Sequence, residues 1–158
     1  ALFPYSNSTF VECVARSIRN SRNCGRIAIV GPKELRTSPA AQLADLVLEE
    51  RDTIVDNLFL GIEALKPIHS VVITASDNPL LTSAGFDDFI DRSAPDAAVT
   101  YPIMPFASFL NRFPHAANIG IELRDGDEIR HLCPTGGGWP GFKGEVSVIP
   151  EYRRNQSV

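Results

Sequence analysis

The chain has 158 residues, enough for one domain with a core of ordinary size, and its 44% hydrophobic and 22% charged content is that of a globular chain and not of a disordered or fibrous one. A net charge of −4 without any long basic run offers nothing to hold a polyanion through bulk charge, so no nucleic-acid partner is expected. No apolar run approaches the roughly 20 residues that span a bilayer and no secretory signal opens the chain, so no membrane partner is expected either.

From the amino end, Ser8 and Thr9 precede Phe10-Val11-Glu12, and Thr-x-x-Glu is a capping box. Val11, Val14, Ala15 and Ile18 then share one face, which predicts a helix running to about Arg22 and stopping near Gly25. Arg26–Val30 reads as a buried strand ended by Gly31-Pro32, and Lys33–Ala44, with Pro39 and little periodicity, as a loop with at most one turn of helix. Leu46–Leu48 is a second strand. Thr53 caps the next helix, whose stripe of Ile54, Leu58, Ile62 and Leu65 ends at Pro67, with Val55 and Phe59 beside it.

Val71–Ala75 is continuous and β-branched, the pattern of a strand buried on both faces. Thr82 starts a further helix with Phe86, Phe89 and Ile90 inward, and Ala98–Ile103 is the next strand. Alternating strands and helices predict a parallel sheet covered on both faces. The remainder differs: Asn118–Leu123 and Glu128–Leu132 flank Asp125-Gly126, a hairpin signal, before Gly136-Gly137-Gly138 and a strand at Val146–Ile149. The expected organisation is one domain over residues 1–158, an α/β body to about Ile103 followed by an antiparallel appendage.

The three cysteines, Cys13, Cys24 and Cys133, match neither a zinc pattern nor a disulfide scaffold and read as reduced thiols of a cytoplasmic protein. In that setting the Asn-x-Ser/Thr triplets at Asn7 and Asn155 carry no glycosylation. His69, His115 and His131 are scattered, His131 with Cys133 is a weak metal pair, and no serine or cysteine stands in a nucleophile elbow. Trp139 reads as a residue pinning a glycine-proline loop, and Arg153-Arg154 as a solvated terminus.

Ser76-Asp77-Asn78-Pro79 lies at the carboxyl end of the Val71–Ala75 strand, the edge at which open parallel sheets bind ligands. An acid emerging there is read in two ways: as a ligand of Mg²⁺, which takes oxygen donors while bridging phosphates, or as the cap of a turn through side-chain to backbone hydrogen bonds.

Val71–Ile90, "VVITASDNPLLTSAGFDDFI", resembles the central motif of the molybdenum-cofactor guanylyltransferase-like nucleotidyltransferases, an aliphatic strand running into Asp-x-Pro-Leu-Leu-Thr. Other stretches are similar to that family in its order: Ala44–Leu65, Ala97–Ile103, and then Asn111–Pro114, Ile121–Asp127 and Thr135–Gly137. The resemblance implies a Rossmann-like three-layer α/β/α fold with a mostly parallel sheet and a small antiparallel appendage.

It also implies an Mg²⁺-dependent nucleotidyltransferase that moves a nucleoside monophosphate from an NTP to a small phosphorylated acceptor, releasing pyrophosphate. Asp77 would be the catalytic metal ligand, with Ser76 and Asn78 orienting phosphate or ribose. Asn57 would support the nucleotide pocket, its other reading being a solvent-facing helix residue. Gly136 and Gly137 match the family's glycine pair, where a bare backbone lets an acceptor approach; their other reading is a flexible loop, because Gly138-Trp139-Pro140 replaces the family's following strand.

The family opens with a strand and a basic glycine-rich loop that cradles the triphosphate, and neither precedes Leu2-Phe3-Pro4 here. Without that strand a gap is expected between Arg26–Val30 and Val71–Ala75, so the polypeptide is expected to carry upstream residues; an intact mass equal to that of the sequence would exclude them. A catalytically inactive nucleotide-binding or assembly module of the same fold is the alternative. A glycosyltransferase ranks lower, since its usual Asp-x-Asp has Pro79 in the last position.

Overall fold

The computed structural model describes residues 2–67, 69–95, 97, 99–115, 121–125, 128–134 and 146–149. Strands β1 (Pro4–Tyr5) and β2 (Ser8–Thr9) form a short antiparallel ladder around Ser6, whose φ of 55° lies in the left-handed region. Helix α1 (Phe10–Arg19) follows at once, with the Thr9 side chain accepting from the Glu12 N–H at 3.4 Å. The expected capping box is half made. The Glu12 carboxylate turns instead to Ser8 Oγ, at 3.2 Å, and to the Arg16 guanidinium one turn on. The helix also ends three residues before Arg22, at an Asn20 cap.

Strands β3 (Ala28–Gly31) and β4 (Leu46–Glu49) pair in parallel, Ala28 opposite Leu46 and Gly31 opposite Glu49. The loop expected between them is wound into two 3₁₀ turns, Lys33–Thr37 and Pro39–Leu43. Burial explains the difference. Leu35 and Ala40 are 1% and 0% exposed, so this segment must satisfy its own backbone, as in the Ser38 N–H to Leu35 carbonyl bond at 3.1 Å. Gly31 permits the closure, because a methyl group at its Cα would run into Leu35 Cδ1.

Helix α2 (Ile54–Leu65) is capped by Thr53, which accepts from the Asp56 N–H at 3.1 Å, and ends at Lys66 with a left-handed φ of 49°. Its stripe is covered in part: Leu58, Ile62 and Leu65 are half-buried, while Ile54 is 85% exposed. Residues 71–75 differ too. They form no ladder with any described strand, and Val72 and Ile73 are exposed, where a strand buried on both faces was expected. The two departures share one cause. Residues 71–75 and β3 border a groove of about 980 Å³ that α2 also lines, so residues 71–75 meet no described strand, and the stripe is only half covered although Gly61 lies against Val30 of β3.

Helix α3 (Ser83–Arg92) begins at a Thr82 cap, as predicted, and buries Phe86. Strand β5 (Val99–Pro105), helix α4 (Phe106–Arg112), strands β6 (Ile121–Asp125) and β7 (Glu128–Pro134), and strand β8 (Val146–Ile149) complete the described chain. The sheet order β6-β7-β5-β8 is antiparallel throughout, with Asp125 opposite Glu128 across the expected hairpin. The architecture is mixed α/β. Among the described ladders only β3–β4 is parallel, and Ala98–Ile103, expected to extend a parallel sheet, instead contributes β5 to the antiparallel one.

Two small apolar clusters rest on successive turns of α1. Val11 packs with Leu35 and Ala40, and Val14 with Leu81 and Phe86. Fully burying a side chain such as Leu35 is worth about 1.5–3 kcal/mol, so these contacts fix α1 between the 3₁₀ segment and α3.

Candidate functional site

The direction of each element follows from a few bonds. At the carboxyl end of α1, Arg19 donates to the Leu43 carbonyl at 2.8 Å and to Asp45 Oδ2 at 2.9 Å, and Asp45 in turn accepts from the Ile27 N–H at 2.7 Å. This end of α1 therefore stands where β3 and β4 begin. Its other end, at Val11, meets Leu35 just beyond the end of β3. Helix α3 runs alongside in the same sense, Ser17 facing Leu81, Ser21 facing Asp87, and Arg22 paired with Asp91. The turn that precedes α3, which holds Asp77, is consequently on the side of that helix nearer the carboxyl ends of the strands, level with the middle of α1 where Val14 and Ser17 meet Leu81.

That turn is anchored on its far side. Leu81 is 4% exposed, its carbonyl accepts from Ser17 Oγ at 2.6 Å, and its N–H donates to the Asn78 carbonyl at 3.1 Å. The Thr82 hydroxyl then accepts from the Gly85 N–H at 3.1 Å. The backbone and Thr82 perform the capping duties of the segment. Asp77 is exposed, Ser76 and Asn78 are half-buried, and none of the ion pairs among the described residues involves Asp77. The carboxylate faces solvent on a turn whose far side, at Leu81 and Thr82, is held in place.

Asn57 comes to the same side from α2. It lines the groove, as do Thr74 and Ala75, and stands at the opposite end of α2 from Leu65, whose carbonyl meets Arg26 before β3 begins. Its carboxamide is engaged at both ends: Oδ1 accepts from the Arg51 N–H at 2.6 Å and Nδ2 donates to the Arg51 carbonyl at 3.2 Å. Asn57 thus secures the connection from β4 into α2. The sequence offered no sign of this bracket, because an asparagine six residues beyond its partner has no motif of its own. Gly136 and Gly137, with Gly138, Trp139 and Arg153-Arg154, lie outside the described residues.

No protein-family model matches the chain, and no curated protein or solved structure matches it.

The donor chemistry at the turn suits a hard cation. No group of three His, Cys, Asp or Glu side chains converges among the described residues. Mg²⁺ needs no such cage, since it is commonly held by one or two carboxylates while water and substrate phosphates fill its remaining positions. An exposed carboxylate on an anchored turn, as at Asp77, is compatible with that mode.

Two other carboxylates are tuned for structure. The Ile27 N–H, then Arg19, hold the Asp45 carboxyl below the usual aspartate range. The Ser21 hydroxyl, 2.5 Å away, does the same for Asp87, with help from backbone N–H groups of Arg22 and Asn23. Both belong to the opposite, amino-edge side of the helices, away from the Asp77 turn.

Proposed function

We propose that the chain is an Mg²⁺-dependent nucleotidyltransferase domain of Rossmann-like three-layer α/β/α type, acting on an NTP and a small phosphorylated acceptor in the cytoplasm. The observation that carries the reading is Asp77: a solvent-facing carboxylate, on the side nearer the carboxyl ends of the strands, on a turn fixed by Leu81 and Thr82. That side is where ligands of open α/β sheets bind. The ordered resemblance along Ala44–Ile103 supports the same assignment.

In the reaction an acceptor phosphate oxygen attacks the α-phosphorus of the NTP. A new P–O bond forms there as the bond to the bridging oxygen of the β-phosphate breaks, and pyrophosphate leaves with that electron pair. Such transfer relies on positioning and charge neutralisation and involves little covalent help from the protein. Asp77 would hold Mg²⁺, which supplies the charge neutralisation at the phosphates. Ser76 and Asn78 flank it and orient phosphate or ribose, and Asn57 sets the β4–α2 connection beside the nucleotide. Gly136 and Gly137 are assigned to the approach of the acceptor. Among the described residues no helix is long and apolar enough to cross a membrane.

The test is a thermal-shift titration with Mg²⁺ and each NTP, run on the protein and on Asp77→Ala, followed by pyrophosphate release with candidate acceptors. A metal-dependent shift with one or two nucleotides, lost in the variant, supports the reading. Absence of any shift assigns the chain to the inactive-module class.

A further inference from the structure

Two serine hydroxyls tie α1 to the chain around α3, and they grip it at different places. Ser21, just beyond the Asn20 cap, donates to Asp87 Oδ1 at 2.5 Å, on the body of α3. Ser17 donates to the Leu81 carbonyl at 2.6 Å, on the turn ahead of that helix. A serine within a helix commonly returns its hydroxyl to the carbonyl four residues back. Ser17 sends its single proton across to another element instead.

The carbonyl that Ser17 meets is one that α3 does not use. Leu81 precedes the Thr82 cap, and the first turn of α3 closes on Thr82 itself. The Thr82 carbonyl accepts from the Phe86 N–H at 3.0 Å and its hydroxyl from the Gly85 N–H at 3.1 Å. Leu81 is 4% exposed and packed with Val14 and Phe86, so little water reaches it. A buried carbonyl needs a partner, and Ser17 supplies it.

The bond acts on Asp77 at short range. The Leu81 N–H donates to the Asn78 carbonyl at 3.1 Å, closing the turn Asn78-Pro79-Leu80-Leu81 with proline fixing φ at its second position. Asp77 is the residue immediately before this closed ring. A shift of Leu81 therefore reaches Asp77 through constrained backbone and not through a slack loop.

We infer that Ser17 is a positioning residue of the Asp77 site: its hydrogen bond to the Leu81 carbonyl sets where the Asp77 carboxylate stands. This rests on the nucleotidyltransferase reading above. Mg²⁺ demands near-octahedral geometry with oxygen donors at about 2.0–2.1 Å, so a turn that drifts weakens metal binding first. Ser21 holds α1 to α3 beyond the turn and serves as the matched control.

The test measures the affinity of the full chain for each NTP by equilibrium dialysis, with Mg²⁺ in excess and with Mg²⁺ removed by a chelator. The ratio of the two is the metal-dependent gain. Ser17→Ala should reduce that gain about tenfold while leaving the metal-free affinity close to the parent's. Ser17→Thr, which keeps a hydroxyl, should retain most of the gain. Ser21→Ala loses a bond of the same kind and should lower Tm without changing the gain. Ser17→Cys, a weaker donor of similar size, should fall between parent and alanine, and it replaces the alanine variant if that variant does not fold. The inference alone is overturned if Ser17→Ala keeps the parent's gain, or if Ser21→Ala loses as much of it. A parent with no metal-dependent gain for any NTP overturns the nucleotidyltransferase reading and this inference with it.

Discussion

Asp45 ties three elements by one carboxylate, accepting from the Ile27 main chain and from Arg19 while β4 begins at the next residue. Its folded-state pKa is depressed, so its contribution is fully present above the unfolded-state value and is lost as pH falls through the folded-state one. Asp45→Asn should therefore lower Tm near neutral pH, and the gap to the parent should narrow below about pH 4, as a melting series against pH would show. Gly31 sets a steric limit at the opposite end of β3. Gly31→Ala should destabilise by about 1–3 kcal/mol through its collision with Leu35, read as the shift in denaturant midpoint. Asn57→Ala removes both bonds to Arg51. The expected result is faster exchange of the Arg51 amide, whereas Asn57→Asp, which keeps the acceptor, should preserve much of its protection.

At the scale of elements, the helix starts were legible because capping is local chemistry: Thr9, Thr53 and Thr82 each accept the N–H three residues on. The hairpin at Asp125 was legible for the same reason. Segments whose state depends on distant partners were not. The pattern of Val71–Ala75 specifies an apolar strand, but a ladder requires a neighbour, and among the described residues none is hydrogen-bonded to it. The 3₁₀ turns at 33–43 escaped notice because only tertiary burial of Leu35 and Ala40 creates the demand they satisfy. Of the candidate site, the sequence offered Asp77 ahead of the Thr82 cap but expected a strand before it that forms no ladder among the described residues, while the Leu81 anchor behind it required the fold. Leu81→Ala should cost roughly 2–5 kcal/mol and should speed amide exchange at the turn that carries Asp77, linking one apolar contact to the order of the site.

For the whole molecule, the functional expectation concerns charge brought to one edge. If Asp77 holds the metal for transfer, Asp77→Ala should reduce pyrophosphate release about a hundredfold or more with little change in Tm, since its exposed carboxylate enters no ion pair among the described residues. Helix α2 bears on the molecule in another way. It contains Ile54, Val55, Leu58, Phe59 and Ile62, yet none of its residues is buried. Unfolding releases little new apolar surface from the Ile54, Val55 and Phe59 side of this helix, which is already wet in the native state. Calorimetry should then give a heat-capacity increment below the roughly 12–15 cal/mol/K per residue usual for globular proteins, and a correspondingly flat stability curve.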